Sequence, residues 1–312
     1  MLSLHTNAAT LSAQNSISRT QTSLSTSMTR LSTGYRINSA MDDAAGLQIA
    51  TRLKAQTSGM AVAMRNTQNS ISMLQTAEGA LDEVTNILTR MKDLATQAAD
   101  GSSSADDQGA MQKEFNSLTK ELSNIVGNTS FGGAKLLNND TGVGKFTASI
   151  NFQIGADSSE KMDLDISTSL QGMHDAIFTA AGNFDAGGTS AAGSGAVANV
   201  GEEIADDMTA TSPSAATGAG NASKTIANLQ AAIEKVSTLR SEMGAAANRL
   251  DHVYNNLANV STNTKNATGR IMDVDFASES SNMTSNQMLM QAGTAMLKQT
   301  NSMSSMVMSL LQ

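Results

Sequence analysis

Cysteine and tryptophan are absent from all 312 residues, proline occurs once, and the aromatic side chains are seven Phe and two Tyr. Without cysteine there is no disulfide framework, no thiolate nucleophile and no Cys-type zinc site. The three histidines (His5, His174, His252) are too scattered for an HExxH-like pair. Large flat side chains line most small-molecule pockets, so their scarcity argues against a roomy catalytic cleft. Charged residues make up 15% of the chain and sum to −8, against about 25% charged in an average soluble domain. An acidic balance without clustered Lys and Arg argues against a nucleic-acid partner. No stretch approaches the roughly 18 apolar residues of a membrane span. The N-terminus lacks a basic region followed by an apolar one, so the chain reads as soluble or as exported by a route that needs no such signal. Gly142-Val143-Gly144-Lys145 is too short for a phosphate loop and lacks the Ser or Thr after Lys, and no GxSxG elbow occurs. The expectation is a non-enzyme with no cofactor and no metal.

With a single proline, Pro213, almost nothing interrupts a helix. Leu74, Ala77, Leu81, Val84, Leu88, Met91 and Ala95 recur at alternating spacings of three and four, a coiled-coil seam predicted to stop near Gly101. A second seam, Met111, Phe115, Leu118, Leu122 and Ile125, is predicted to close at Gly127 through a positive φ and to pair antiparallel with the first. After Phe131-Gly132-Gly133 the period falls to two. Phe146, Ala148, Ile150, Phe152 and Ile154, then Met162, Leu164 and Ile166, predict a β-hairpin turning through Gly155 to Glu160. Residues 172–221 are a Gly, Ala, Ser and Thr mixture too poor in large apolar groups for a core of its own, read as a surface excursion. A third seam runs Ile226, Leu229, Ile233, Val236, Met243, Ala247, Leu250, Tyr254 and Leu257, with Arg240 as a misfit. It predicts a helix of about 35 residues, or about 50 Å. Three such stripes pack most economically side by side, and the chain ends then emerge together.

Those ends carry few charges: Arg19, Arg30 and Arg36 up to Met41, and only Lys298 from Ser280 onward. Both still show seams. Leu24, Met28, Leu31 and Tyr35 form one; Ala292, Met296, Gln299, Met303, Met306 and Leu310 form the other. About ten apolar side chains per arm, at roughly 1.5–3 kcal/mol each, do not offset backbone ordering at about 1–2 kcal/mol per residue. Each arm is therefore expected to order only when neighbours cover it, as in folding coupled to assembly. Leu24, Met28, Leu31, Ala292, Met296, Met303, Met306 and Leu310 are the residues expected to carry that assembly, and with no charged face reserved for water both arms are expected to lie inside something larger.

The segment Leu31-Ser32-Thr33-Gly34-Tyr35-Arg36-Ile37-Asn38-Ser39-Ala40-Met41-Asp42-Asp43-Ala44-Ala45-Gly46-Leu47 resembles the signature of bacterial flagellins. The likeness continues through Gln75-Thr76-Ala77-Glu78-Gly79-Ala80-Leu81, Asn248-Arg249-Leu250-Asp251 and Gln291-Ala292-Gly293-Thr294, ending in Ser309-Leu310-Leu311. Met41 stands where the family usually has Lys, the C-terminal helix lacks a late Pro, and the middle is short. The resemblance implies a mainly α fold: long helices in a coiled-coil bundle built from both ends, with a small β-hairpin region and a short variable outer segment. It divides the chain into terminal arms (1–41 and 273–312), a helical domain with the hairpin (42–171 and 222–272) and a surface-exposed variable segment (172–221). It further implies an extracellular filament subunit of the bacterial flagellum, serving motility. Its partners would be copies of itself, the flagellar export apparatus and its chaperone, and the filament cap and hook-junction proteins, with no nucleic acid and no membrane.

Several residues take expected roles on that basis. Arg36, Asp42 and Asp43 would fix the joint between terminal arm and helical domain; adjacent carboxylates point in different directions and make a poor acid–base pair. Asp106-Asp107, Asp206-Asp207 and Asp273/Asp275 read as solvated loop charges, since they lack calcium-loop spacing. Thr89-Arg90-Met91-Lys92-Asp93-Leu94-Ala95 resembles the segment by which many flagellins meet the flagellin-sensing Toll-like receptor. Arg90 and Leu94 would share a face off the buried seam, supported by Glu114. Eight of the twenty methionines fall in the last 41 residues, either as gap-filling core or as side chains that let the inner wall repack. Alternative readings are a hook–filament junction protein, which shares the terminal pattern, and a chemoreceptor-like signalling coiled coil, which needs membrane spans and unbroken heptads.

Overall fold

The computed structural model describes residues 8–139, 143–182, 184, 203–205 and 215–310, with the side chains of 9, 215–217 and 303–310 left aside. Among them are six α-helices: α1 (Ala8–Thr33), α2 (Ala44–Ala98), α3 (Ala105–Asn128), α4 (Ser167–Ala180), α5 (Ala215–Met272) and α6 (Phe276–Leu310). Two short antiparallel hairpins lie between α3 and α4: β1 (Ser130–Phe131) with β2 (Ala134–Lys135), and β3 (Ile150–Gln153) with β4 (Lys161–Leu164). Contacts divide the chain into two compact units, one of residues 59–259 and one combining 1–58 with 260–312.

The 59–259 unit holds the main core. Every member of the first seam, Leu74 through Ala95, is buried on α2. The chain then reverses over residues 99–104. Gln108 Nε2 donates to the Ala98 carbonyl at 2.9 Å and Arg90 meets Glu114, so α2 and α3 run antiparallel as the spacing required. A capping box starts α3: Ser104 Oγ accepts from the Asp107 amide at 3.2 Å and Asp107 Oδ2 accepts from the Ser104 amide at 3.2 Å. Asp107 is thus a helix cap, not a free loop charge. The helix continues through Gly127 to Asn128, and no left-handed residue ends it. The amide and hydroxyl of Thr129 both donate to the Ile125 carbonyl, at 3.0 and 2.6 Å, which satisfies the orphan group without a positive φ.

The positive φ values come later, at Gly132 (59°) and Gly133 (84°). They are the two central residues between paired Phe131 and Ala134, where a two-residue hairpin of the primed type demands them. The second hairpin pairs Ile150 with Leu164 through Gln153 with Lys161, placing Phe152 opposite Met162 on the buried face. It starts four residues later than the alternation suggests. Phe146 lies in a 3-10 turn (Lys145–Thr147) that packs on α4, because Gly144 passes too close to the Asn138 carbonyl to carry a Cβ.

Residues 172–221 do not begin as a surface excursion. Leu170, Met173, His174, Ile177 and Ala180 form the buried face of α4, and Phe184, Ile204 and Ala205 join the buried set. Residues 185–202 and 206–214, including Asp206-Asp207, lie outside the described residues. On α5 the buried stripe is Leu229, Ala232, Val236, Leu239, Met243, Ala246 and Leu250. It passes through Leu239, not Arg240, whose Nη1 lies 3.0 Å from Asp82 Oδ1. The misfit disappears because the true seam is one residue out of step with the expected one at 232, 239 and 246. The helix is 58 residues long, well beyond the expected 35.

Candidate assembly interface

In the second unit the two chain ends lie together. Gly34 (φ 75°) ends α1, its amide donating to the Arg30 carbonyl at 2.9 Å. The chain then runs antiparallel beside the link between α5 and α6. The Arg36 amide donates to the Met272 carbonyl at 2.6 Å, the Val274 amide to the Gly34 carbonyl at 3.0 Å, and Arg36 Nη2 to the Ile271 carbonyl at 3.1 Å. Asp42 turns backward: its Oδ2 accepts from the amides of Asn38 (3.1 Å) and Ser39 (2.9 Å), and its Oδ1 lies 4.0 Å from Arg30. Those Ser39 and Asn38 amides hold its pKa below the ordinary carboxylate value. Asp43 turns forward, its Oδ1 accepting from the Gly46 amide at 2.8 Å as the N-cap of α2. Asp275 caps α6 in the same way, accepting from the Ala277 amide at 3.0 Å. The neighbouring carboxylates therefore do diverge, and their work is to hold backbone.

Beyond this link α1 and α6 pack against each other as an antiparallel pair, Arg30 facing Glu279 at 3.8 Å and Ile17 facing Gly293. Covered positions on α1 are Thr10, Ala13, Ile17, Thr20, Leu24, Ser27 and Leu31; on α6 they are Glu279, Met283, Asn286, Met290, Gly293, Leu297 and Thr300. Both step alternately by three and four. Small and polar residues punctuate the seam, and at Gly293 the helices approach so closely that a Cβ would lie 2.8 Å from Ile17 Cγ1.

A second apolar stripe on α6, one position out of step, finds no cover within the described residues. Leu289, Ala292 and Met296 are exposed, as are Met288 and, on α1, Leu11 and Met28. The expected polymerisation residues thus divide. Leu24 is buried and Leu31 half-buried, both on the covered stripe of α1, whereas Met28, Ala292 and Met296 face outward. The side chains of Met303, Met306 and Leu310 lie outside the described residues. The covered stripe of α6 was missed because Asn286, Gly293 and Thr300 do not read as apolar; Gly293, inside a helix free of other glycines, was its one sequence signal.

The expected receptor face is corrected. Arg90 and Glu114 do meet on the surface at 2.6 Å, but Leu94 is only 3% exposed and belongs to the main core with Met91 and Ala95. Three-four stepping gives α2 a stripe wide enough to bury 91, 94, 95 and 98 together.

Two chain ends that jointly build one helical unit, on which an apolar stripe stays uncovered among the described residues, define a mainly α protein of paired terminal helices. The chain belongs to the bacterial flagellin family. The family's N-terminal helical region matches residues 4–141 and its C-terminal helical region residues 226–311. Flagellin A of Vibrio anguillarum is 35% identical over 379 aligned positions, covering 100% of both chains, and flagellin C of Vibrio cholerae is 35% identical over 371, covering 96% of both. A solved structure of a putative flagellar hook-associated protein from Vibrio parahaemolyticus shares the fold, with a TM-score of 0.57 over 74% of this chain and 100% of that one, at 15% identity. No helix among the described residues is long and apolar enough to cross a membrane.

Proposed function

We infer that this chain is the structural, non-enzymatic subunit of an extracellular bacterial flagellar filament, added copy upon copy by head-to-tail contacts that do not close. The observation that carries this reading is the uncovered stripe of Leu289, Ala292 and Met296, beside Met288 and with Met28 on α1, on a helix pair whose own seam is thinned by Ser27, Thr20, Asn286 and Thr300. Large apolar groups left in water at both chain ends gain their burial from other copies. The terminal arms order fully in that step. Full-length identity to flagellins, against 15% for the hook-associated structure, favours the filament subunit over the junction protein, and the absence of any long apolar helix among the described residues disfavours a signalling receptor hairpin. Export apparatus, chaperone, cap and hook-junction proteins follow as partners of such a subunit. Contact with the host flagellin-sensing Toll-like receptor, if made on this face, falls to Arg90 on α2 and Glu114 on α3.

The test is seeded polymerisation. Heat-dissociated chains, cooled with seeds and imaged, grow long filaments, and chains trimmed to about residues 45–270 grow none. Equal growth by the trimmed chain refutes the reading.

A further inference from the structure

The methionines divide between the two units. Among the described residues, Met60, Met73, Met91, Met111, Met162, Met173 and Met243 are all buried, and all lie within 59–259. Beside half-buried Met272, Met283 and Met290, the unit made from the chain ends holds the exposed ones: Met28 at 50%, Met288 61%, Met296 66% and Met41 97%. With no cysteine in the chain, these thioethers are the sulfur atoms an oxidant reaches first. Three of them sit on the helix pair, where the filament reading needs dry apolar contact. Met41 sits on the link, away from both helix faces.

We propose that Met28, Met288 and Met296 are oxidation sites through which hydrogen peroxide switches off assembly of the free chain. The thioether sulfur attacks one peroxide oxygen, an S–O bond forms as the O–O bond breaks, and the departing hydroxide takes up a proton to leave water. Sulfur is oxidised by two electrons and peroxide is reduced by two. The product sulfoxide is polar and accepts hydrogen bonds, so the side chain that should enter an apolar contact now carries a group that loses water there without a partner. Burial in the filament closes the same sulfurs to peroxide, so oxidation acts on chains not yet added. A sulfoxide reductase reverses it.

This rests on the filament reading, and the experiment separates the two. The intact chain is treated with graded hydrogen peroxide, quenched, mapped by peptide mass spectrometry and offered to seeds. Met41, Met28, Met288 and Met296 are expected to gain oxygen before Met91, Met173 and Met243. The critical concentration for growth rises about tenfold or more, as loss of a few buried apolar contacts implies, and reductase treatment restores it. Filaments assembled beforehand keep the three sulfurs unmodified at the same dose. The triple variant Met28→Leu, Met288→Leu, Met296→Leu, which preserves apolar volume, grows after peroxide as before it, whereas Met41→Leu leaves the inhibition intact. Growth of the oxidised chain at its untreated critical concentration overturns the proposal, and so does equal inhibition of the triple variant. If untreated chains never extend seeds, the filament reading itself has failed.

Discussion

Gly293 offers a sharp test of the helix pair, because the structure opposes two well-measured tendencies there. In an isolated helix, Gly→Ala is favourable by about 0.8–1.0 kcal/mol. Here the added methyl would lie 2.8 Å from Ile17 Cγ1, where carbon atoms prefer about 3.5–4.0 Å. Ile17 is β-branched and held to one rotamer in a helix, so relief requires the helices to move apart, an overpacking cost of about 1–3 kcal/mol. Gly293→Ala alone should therefore be neutral to about 2 kcal/mol unfavourable, the difference of those two ranges. In an Ile17→Ala background the obstruction is gone, and the same change should become favourable by about 1 kcal/mol. The double-mutant coupling is then about 1–3 kcal/mol. The critical concentration of seeded growth reports it directly, since each 1.4 kcal/mol is about a tenfold change, and thermal depolymerisation midpoints give a second reading. A Gly293→Ala substitution that favours assembly equally in both backgrounds would show that α1 and α6 do not meet at this point.

Other substitutions follow from named contacts. Asp43→Ala removes the N-cap of α2 and should cost about 1 kcal/mol, read as faster amide exchange over the first turn from Ala44; unchanged exchange there excludes the cap. Leu94→Ala should lower the stability of the 59–259 unit by about 2–5 kcal/mol as a core truncation. Arg90→Ala breaks only the exposed pair with Glu114, which is worth about 0.2–1 kcal/mol. If Arg90→Ala abolishes receptor activation at unchanged melting temperature, the contact is direct. His174 is buried, with Nε2 2.8 Å from the Leu137 carbonyl oxygen and its ring 5.6 Å from that of Phe184, and burial pushes its pKa below the ordinary 6.5. The unfolded chain then takes up this proton more readily than the folded one. Stability is full above about pH 6.5 and falls as pH drops through the lowered folded value. Melting temperature against pH should show this fall, and His174→Gln should flatten it.

How much of this was written in the sequence depends on the kind of signal. Seams built from Leu, Val, Ile and Met marked the second half of α2, from Leu74 to Ala95, and the buried face of α3, because side chains that large have one stable place to go, whereas the start of α2 at Ala44 carries no such seam. The seam of α5 reads one position off at three points, since Ile233 outweighs Ala232 by hydrophobicity and Ala246 against Ala247 is no contrast at all. Arg240 was the clue that the stripe passed through Leu239. Small residues hid the rest. The buried face of α4, Leu170, Met173 and Ile177, has a plain helical spacing but straddles the boundary drawn by composition at 172. Gly132-Gly133 is a two-residue turn signal, yet strands of two residues are too short to show alternation. In the sequence Asp107 and Asp275 look like solvated charges, because capping depends on a neighbour's free amide, and that is fixed only once the helix start is known.

The C-terminal helix shows most clearly why one sequence supported two faces. Stripes one residue apart lie about 100° apart on a helix, so 289, 292, 296 and 299 adjoin 290, 293, 297 and 300. Hydrophobicity does not separate them there: Leu289, Ala292, Met296 and Gln299 face outward, while Met290, Gly293, Leu297 and Thr300 are covered. Close approach decides the matter instead: glycine lets α1 come near enough for Ile17 to fill the space a side chain would occupy. The outward stripe is thereby left uncovered, with Leu289 and Met296 in water, each worth roughly 1.5–3 kcal/mol when buried. On the proposed filament reading, the contact that buries Leu289 and Met296 is one between molecules, and their exposure in the single chain is what that contact removes.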